Sequence, residues 1–378
     1  MHTVHRNVNH AFNHYVCEAH HYPKFLNIRE LPSRNGPVMQ IMEPVTITYE
    51  SPRERVLFNP ARDANPFFHL YEALWMLAGR RDVAPVAYYA SNMRNYSDDG
   101  ETLNGAYGYR WRQAQKWVSE DPTMLDTHEF PMWEPYRVDQ LETLLGHLAG
   151  AEEPTRRAVL SMWNVEDDLL KVDSSKDVCC NLAARFKVRE ERTVGDDGYD
   201  EARLYLDMTV FNRSNDLVWG AFGANVVHFS FLQEYMACAL GIEVGRYNQI
   251  SDDLHIYVER WNPDQLIKGM EASPVTYPPT APKLFVDSAN REDFDQVLVE
   301  FVSRYSGGER PEKAWTVSGY SFLDDVAVPM CESFYAHKRK DYDQARSWLD
   351  KMPTCDWELA ARLWIQRRDD RFHRRTSV

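Results

Sequence analysis

One segment constrains the fold more than any other. Residues Phe222 to Leu240 are apolar over a length that strands do not reach, and Gly241 closes the run. The pattern predicts a central buried helix, which must be covered on every side. The flanking segments alternate instead. Cys180–Arg189 and Ala202–Arg213 before the helix, and Val244–Tyr257 after it, read as strands. The polar stretch Glu190–Glu201, with Gly195 and Gly198, joins the first two as an extended hairpin.

Elsewhere the chain is read in pieces. Gly36–Glu50 alternates as strands do. Asn65-Pro66 starts a helix, with Pro at the first helical position, and the helical spacing of Phe67–Leu77 ends at Gly79. Glu72 sits inside that apolar helix. A lone Glu there either faces water or is buried with a function and a raised pKa. Asn95–Gly108 reads as loop, 118–134 as irregular and Val138–Ala149 as helix. The adjacent Arg156 and Arg157 lead into the strand Ala158–Trp163. From Asn262 the pattern loosens through four prolines, and Phe294–Tyr305, Val326–Lys338, Asp341–Met352 and Asp356–Arg368 read as helices.

Composition excludes some function classes. The 378 residues are 44% hydrophobic and 26% charged, with a formal net charge of -14. An acidic chain is poorly suited to duplex nucleic acid, where affinity comes from neutralising phosphates. No apolar run reaches membrane-spanning length. The six cysteines contain no C-x-x-C pair, which argues against a structural zinc site. No secretory signal pattern opens the chain, so a cytoplasmic setting is expected. The His-rich residues 1–25 match no standard metal-ligand spacing and read as an extension. No metal is expected.

The polar residues gather around the predicted core helix. Cys179-Cys180 opens a strand, Arg213-Ser214-Asn215-Asp216 ends the next, and Asp253-Leu254-His255-Ile256-Tyr257 ends a third. A thiol, an Arg-Ser pair, an Asn and an alternating His-x-Tyr can build a site for a small anion. Together with Tyr71–Gly79, Asn104–Trp111, Arg156-Arg157 leading to Ser161–Val165, and Asn225, these stretches keep the order of five motifs of one family. Over roughly residues 30 to 290 the chain resembles the thymidylate synthase superfamily.

That resemblance implies an α/β (α+β) fold in which the long helix packs on a large mixed sheet. Two such sheets would stack back to back in a homodimer. It divides the chain into an N-terminal extension (1–29), a catalytic domain (30–290) and a mostly helical C-terminal extension (291–378). The implied chemistry is one-carbon transfer from 5,10-methylenetetrahydrofolate to C5 of dUMP or dCMP. A thiolate adds at C6 and makes C5 nucleophilic, splitting one hard step into easier ones. The register back from Phe186 makes Cys180 the nucleophile and Cys179 a small buried hydrophobe. Arg213 is the expected source of positive charge beside the thiolate. Glu72 is the implied catalytic carboxylate, which also meets the folate, and Tyr107 helps remove the C5 proton through water. Arg34, Arg213 and Ser214, with Arg156 and Arg157 of the other subunit, would bind the phosphate. His255 and Tyr257 would hold the sugar hydroxyl, Asn225 the base edge and Asp216 the pterin.

Two departures bear on the reaction. Cys179-Cys180-Asn181 replaces the family's Pro-Cys-His, so Asn181 stands where a base-contacting His is usual. Asn225 leans toward uracil, but it fits only if one residue is inserted in Gly220–Asn225, and a turned amide also serves cytosine. The chain also lacks the short apolar tail with which synthases close over folate, and ends in predicted helices. If water reaches the methylene intermediate, the product is a 5-hydroxymethyl nucleotide. A deoxynucleotide hydroxymethylase of the kind phages use, working in the host cytoplasm, is therefore the favoured reading. Thymidylate synthase proper is the alternative. A non-catalytic nucleotide- or RNA-binding relative is the second, although such a module needs no thiol.

Overall fold

The computed structural model of the protein describes residues 1–21, 27–33, 35–119, 133–150, 155–194, 200–308 and 315–376. The strands are β1 (His2–His5), β2 (Ile28–Leu31), β3 (Val38–Ile41), β4 (Val45–Tyr49), β5 (Ala114–Ser119), β6 (Trp133–Val138), β7 (Val159–Ser161), β8 (Asn181–Val194), β9 (Asp200–Asp216) and β10 (Glu243–Tyr257). The α-helices are α1 (Val8–His21), α2 (Pro66–Leu77), α3 (Val83–Tyr89), α4 (Tyr107–Arg112), α5 (Gln140–Ala149), α6 (Asn225–Leu240), α7 (Pro263–Glu271), α8 (Arg291–Arg304), α9 (Val328–Lys338), α10 (Tyr342–Leu349) and α11 (Asp356–Thr376).

One mixed sheet runs in the order β1-β4-β10-β9-β8-β7, and β2 and β3 extend it along the far end of β10. β8 and β9 form the long antiparallel hairpin, and β9 runs parallel to β10. The ladder between β9 and β10 shifts register between Val244 and Tyr247. A shift of this kind leaves carbonyls without ladder partners. Gln233 of α6 supplies them, its Nε2 donating to Leu206 O at 2.7 Å and Gly245 O at 3.2 Å. This fully buried amide pins the helix across the two strands whose ends carry the site. Around it Phe229, Phe231, Leu232, Tyr235 and Met236 are all buried.

α2 is buried along its whole length, Glu72 included. Asn65 caps it, accepting from Phe68 N at 3.2 Å, with Pro66 at the first position. Gly79 ends it at φ +72, where a Cβ would also come within 2.7 Å of Arg112 Cβ. α4 crosses so close that a Cβ on Gly108 would lie 2.0 Å from Met76 O, so only glycine fits. These two glycines set Tyr107 against α2.

The expected extensions are parts of the same core. β1 pairs in parallel with β4, and Phe12 and Tyr15 of α1 pack on Phe222 with ring centres 6.0 and 5.6 Å apart. Burial, with His14 and His10 adding to it, lowers the His5 pKa to about 4, as fits a packing residue. The C-terminal helices cover α2: Tyr71 donates to Val302 O at 2.7 Å, and Phe67 and Tyr89 meet Phe334 at 5.4 and 4.8 Å. Asp63 ties down α11 through Arg367, Arg368 and Arg371.

Candidate active site

The ends of β9 and β10, the start of β8, α2, α4 and α6 surround a cavity of about 520 Å³. Glu72, Tyr107, Cys180, Ser214, Asp216, Asn225, His255 and Tyr257 all line it. Residues far apart in sequence thus converge on one space, as a site for a nucleotide-sized ligand requires.

Cys180 precedes β8 and is half-buried, with its Sγ 3.7 Å from Arg213 Nη2. The same guanidinium donates to the carbonyls of Val178 and Cys179 at 3.0 Å each, and Arg213 N donates to Cys180 O at 3.0 Å. Arg213 therefore fixes the backbone that carries the thiol and brings positive charge to the sulfur, the environment that favours a thiolate. Cys179 has the opposite surroundings. It is fully buried, its Sγ donates to Asn181 O at 2.9 Å, and burial pushes its pKa up. From below, Asp168 accepts from Cys179 N at 2.9 Å and pairs with Arg110, itself bonded to Met162 O at 2.6 Å.

Glu72 Oε2 accepts from Nε2 of His228 at 2.8 Å, and both side chains are buried. Desolvation beside Cys180 and Cys179 raises the Tyr107 pKa, which keeps the phenol protonated. Asp216 caps the turn after β9, its Oδ1 accepting from Val218 N at 2.9 Å and Trp219 N at 3.3 Å, which leaves its other oxygen for a ligand N–H. Burial raises its pKa, and burial lowers that of His255 although Asp216 pulls the other way. The turn is π-helical over Leu217–Ala224, with a kink at Gly223. A π-turn accommodates one extra residue, and Asn225, which follows this turn, lines the cavity. Asn225 Nδ2 donates to Asn215 Oδ1 at 3.0 Å, and Asn215 Nδ2 donates to Ser251 Oγ at 3.2 Å.

Not every expected residue joins them. Asn181 is fully buried and gives its amide to Asn212, away from the cavity wall. The bulge between Asn181 and Ala183 turns it inward behind Cys180. Arg156 and Arg157 are exposed at the entry to β7 and do not line this chain's cavity. Arg34 lies outside the described residues, while its neighbour Asn35 lines the cavity.

The cavity also holds Asn215 of the Arg213–Asp216 cluster, and residues that sequence reasoning passed over: Asp177, Trp219, His228 and Trp261. Burial raises the Asp177 pKa to about 6, although Gly105 N–H donates to its Oδ2 at 2.7 Å. Buried Arg62 stands over the rings of Trp219 and Trp261 at 5.1 and 5.3 Å and donates to Val218 O. The available signal for His228 was its place three residues after Asn225, on the same helix face.

Comparison with known proteins agrees with this geometry. The family model described as thymidylate synthase matches residues 62–304. The deoxyuridylate hydroxymethyltransferase of Pseudomonas phage M6 is 40% identical over 98% of this chain and 95% of its own length. That of Bacillus phage SP01 is 39% identical over 59% of this chain and 52% of its own. A thymidylate synthase of Symbiobacterium thermophilum is 27% identical over 49% of this chain and 57% of its own. The match to the family model and the likeness to a relative along nearly its whole length show that the chain belongs to the thymidylate synthase family.

Proposed function

We propose that the protein is a deoxyuridylate 5-hydroxymethyltransferase, taking one carbon from 5,10-methylenetetrahydrofolate and finishing with water. The observation that carries the reading is the Cys180–Arg213 pair at 3.7 Å on a cavity shared with Glu72 and Asn225. Likeness to a phage deoxyuridylate hydroxymethyltransferase along 98% of the chain supports it, since that span includes the C-terminal helices.

The Cys180 thiolate, held beside Arg213, adds to C6 of the pyrimidine. Charge moves toward O4, where a water ordered by the Glu72 carboxylate can supply a proton. Asn225 supports uracil: Asn215 takes one N–H, leaving Oδ1 to accept from N3–H and the second N–H to reach O4. His255 and Tyr257 stand at the sugar end. Tyr107, protonated at neutral pH, orients the water that removes the C5 proton rather than acting as a base itself. The walls suit a pterin. Trp219 and Trp261 offer ring faces, and the second oxygen of Asp216 offers an acceptor. When bound, the folate supplies a carbon at the oxidation level of formaldehyde. Loss of the thiolate then restores the aromatic ring.

Water capture is favoured by the position of α11. Its arginines are tied to Asp63 and it braces α2, while the cavity is lined by residues from Asn35 to Trp261. A homodimer completes the phosphate site. The open face of the sheet exposes Val159 and Phe211 at 49% and 38%, apolar surface that suits a second sheet and would carry Arg156 and Arg157 to the neighbour. Incubation with 5-fluoro-dUMP and the folate tests the nucleophile. A covalent adduct on the Cys180 peptide is expected, and its absence would sink the enzyme reading.

A further inference from the structure

Glu72 and His228 reach the cavity from different helices and meet at 2.8 Å with side chains only 5% and 3% exposed. The carboxylate accepts from Nε2–H, so in the neutral ring Nδ1 carries the lone pair. That Nδ1 is buried and has no partner among the described residues. An unpaired buried nitrogen costs about 1–3 kcal/mol, and a water with room to sit there removes the cost. His228 lies three residues beyond Asn225 on α6, so its ring borders the edge of the base that Asn225 reads.

We propose that His228, oriented by Glu72, binds at Nδ1 the water that adds to the C5 methylene group and takes its proton. This inference rests on the reading that water completes the reaction. The step balances. The water oxygen forms a bond to the methylene carbon, and its proton goes to Nδ1. The displaced electron pair moves to O4, returns to form C5=C6 and expels the Cys180 thiolate from C6. The proton passes on to the thiolate or to solvent, and Glu72 stabilises the imidazolium in between, as a carboxylate does behind any catalytic histidine. No oxidant or reductant is involved.

The experiment separates this step from those before it. With dUMP tritiated at C5, released tritium counts turnovers through the methylene stage, and 5-hydroxymethyl-dUMP counts hydration. The wild-type ratio of product to tritium should be one. In His228→Gln the side-chain amide can still donate to Glu72 but offers nothing at the Nδ1 position. A general base is worth roughly 10²–10⁴-fold, so the ratio should fall below about one in ten. Added 2-mercaptoethanol, which brings its own thiolate, should then trap the missing product as a thioether. His228→Asn, which places an amide near the Nδ1 position, should recover part of the ratio. A ratio that stays at one in both variants, however slow they are, would show that His228 only braces α2 against α6. Wild-type protein that releases tritium but yields dTMP, or releases none, would overturn the reaction assigned above and this inference with it.

Discussion

Replacing Asn225 with Asp tests how the base is read. In the wild type the Asn225 amide donates to Asn215 Oδ1 at 3.0 Å, and Asn215 is held in turn by Ser251 Oγ at 3.2 Å. The Asp variant sets a carboxylate oxygen against Asn215 Oδ1 and removes the donor to O4 of uracil. Each unmatched buried acceptor costs about 1–3 kcal/mol. The two together raise the barrier with dUMP by about 2–6 kcal/mol, or roughly 30- to 20,000-fold in kcat/KM at about 1.4 kcal/mol per decade. The cytosine amino group can donate to the new carboxylate, so kcat/KM with dCMP should rise above its wild-type value. Initial rates with both nucleotides measure this. A dUMP kcat/KM within threefold of wild type would refute the argument that the Asn215 contact orients the base-reading amide.

Other outcomes follow from the same geometry. Cys180→Ala should abolish turnover, while Cys179→Ala, which removes a buried thiol bonded to Asn181 O, should keep most of it; equal losses would mean the nucleophile is misassigned. Asp168→Ala leaves Arg110 buried without its partner, a loss of about 3–5 kcal/mol, and frees Cys179 N–H; an unchanged urea midpoint would contradict that role. Asp63 links α11 to the core. Burial alone would raise its pKa, but Arg368 and then Arg367 hold it below the usual carboxylate range. A lowered folded pKa gives stability that is present above the unfolded value of about 3.9 and is lost as pH falls through the folded one. The melting temperature of Asp63→Asn should therefore lie below wild type by a steady gap above about pH 5, and the gap should close in more acid solution. A gap independent of pH would mean the carboxylate charge is not what holds α11.

The parts of the fold that could be read in the sequence are those with long, regular periods. β10 and α2 with its Asn65-Pro66 start stand within a residue of their expected places, α6 begins three residues into its apolar run, and β8 and β9 run further than their alternation shows, by five residues at the end of β8 and by two and three at the ends of β9. Each carries its own local signal. β1 is four residues long, too short to show alternation, and its pairing with β4 is decided by the sheet. α1 was obscured by its mostly exposed histidines, although Val8, Phe12, Tyr15 and Val16 carry its buried face, and α7 by the prolines that follow it. At the site, the residues that touch the cavity were found because their types are chemically demanding: a thiol, an Arg-Ser pair, a His-x-Tyr. Asn181 was misplaced because a bulge turns it inward, which no periodicity reveals. His228 was passed over because a lone histidine in an apolar helix reads as core until Glu72 is seen beside it. The C-terminal helices could be recognised as helices, but not as the cover of α2, since packing partners so distant in sequence leave no local trace.

The most direct test is the mass of the product. The protein is incubated with dUMP and 5,10-methylenetetrahydrofolate, and the nucleotide is weighed by mass spectrometry. A gain of one formaldehyde unit, with tetrahydrofolate released, is the predicted result and means that water ends the reaction. A gain of one methylene unit, with dihydrofolate released, would mean hydride transfer and a thymidylate synthase, and would contradict the account.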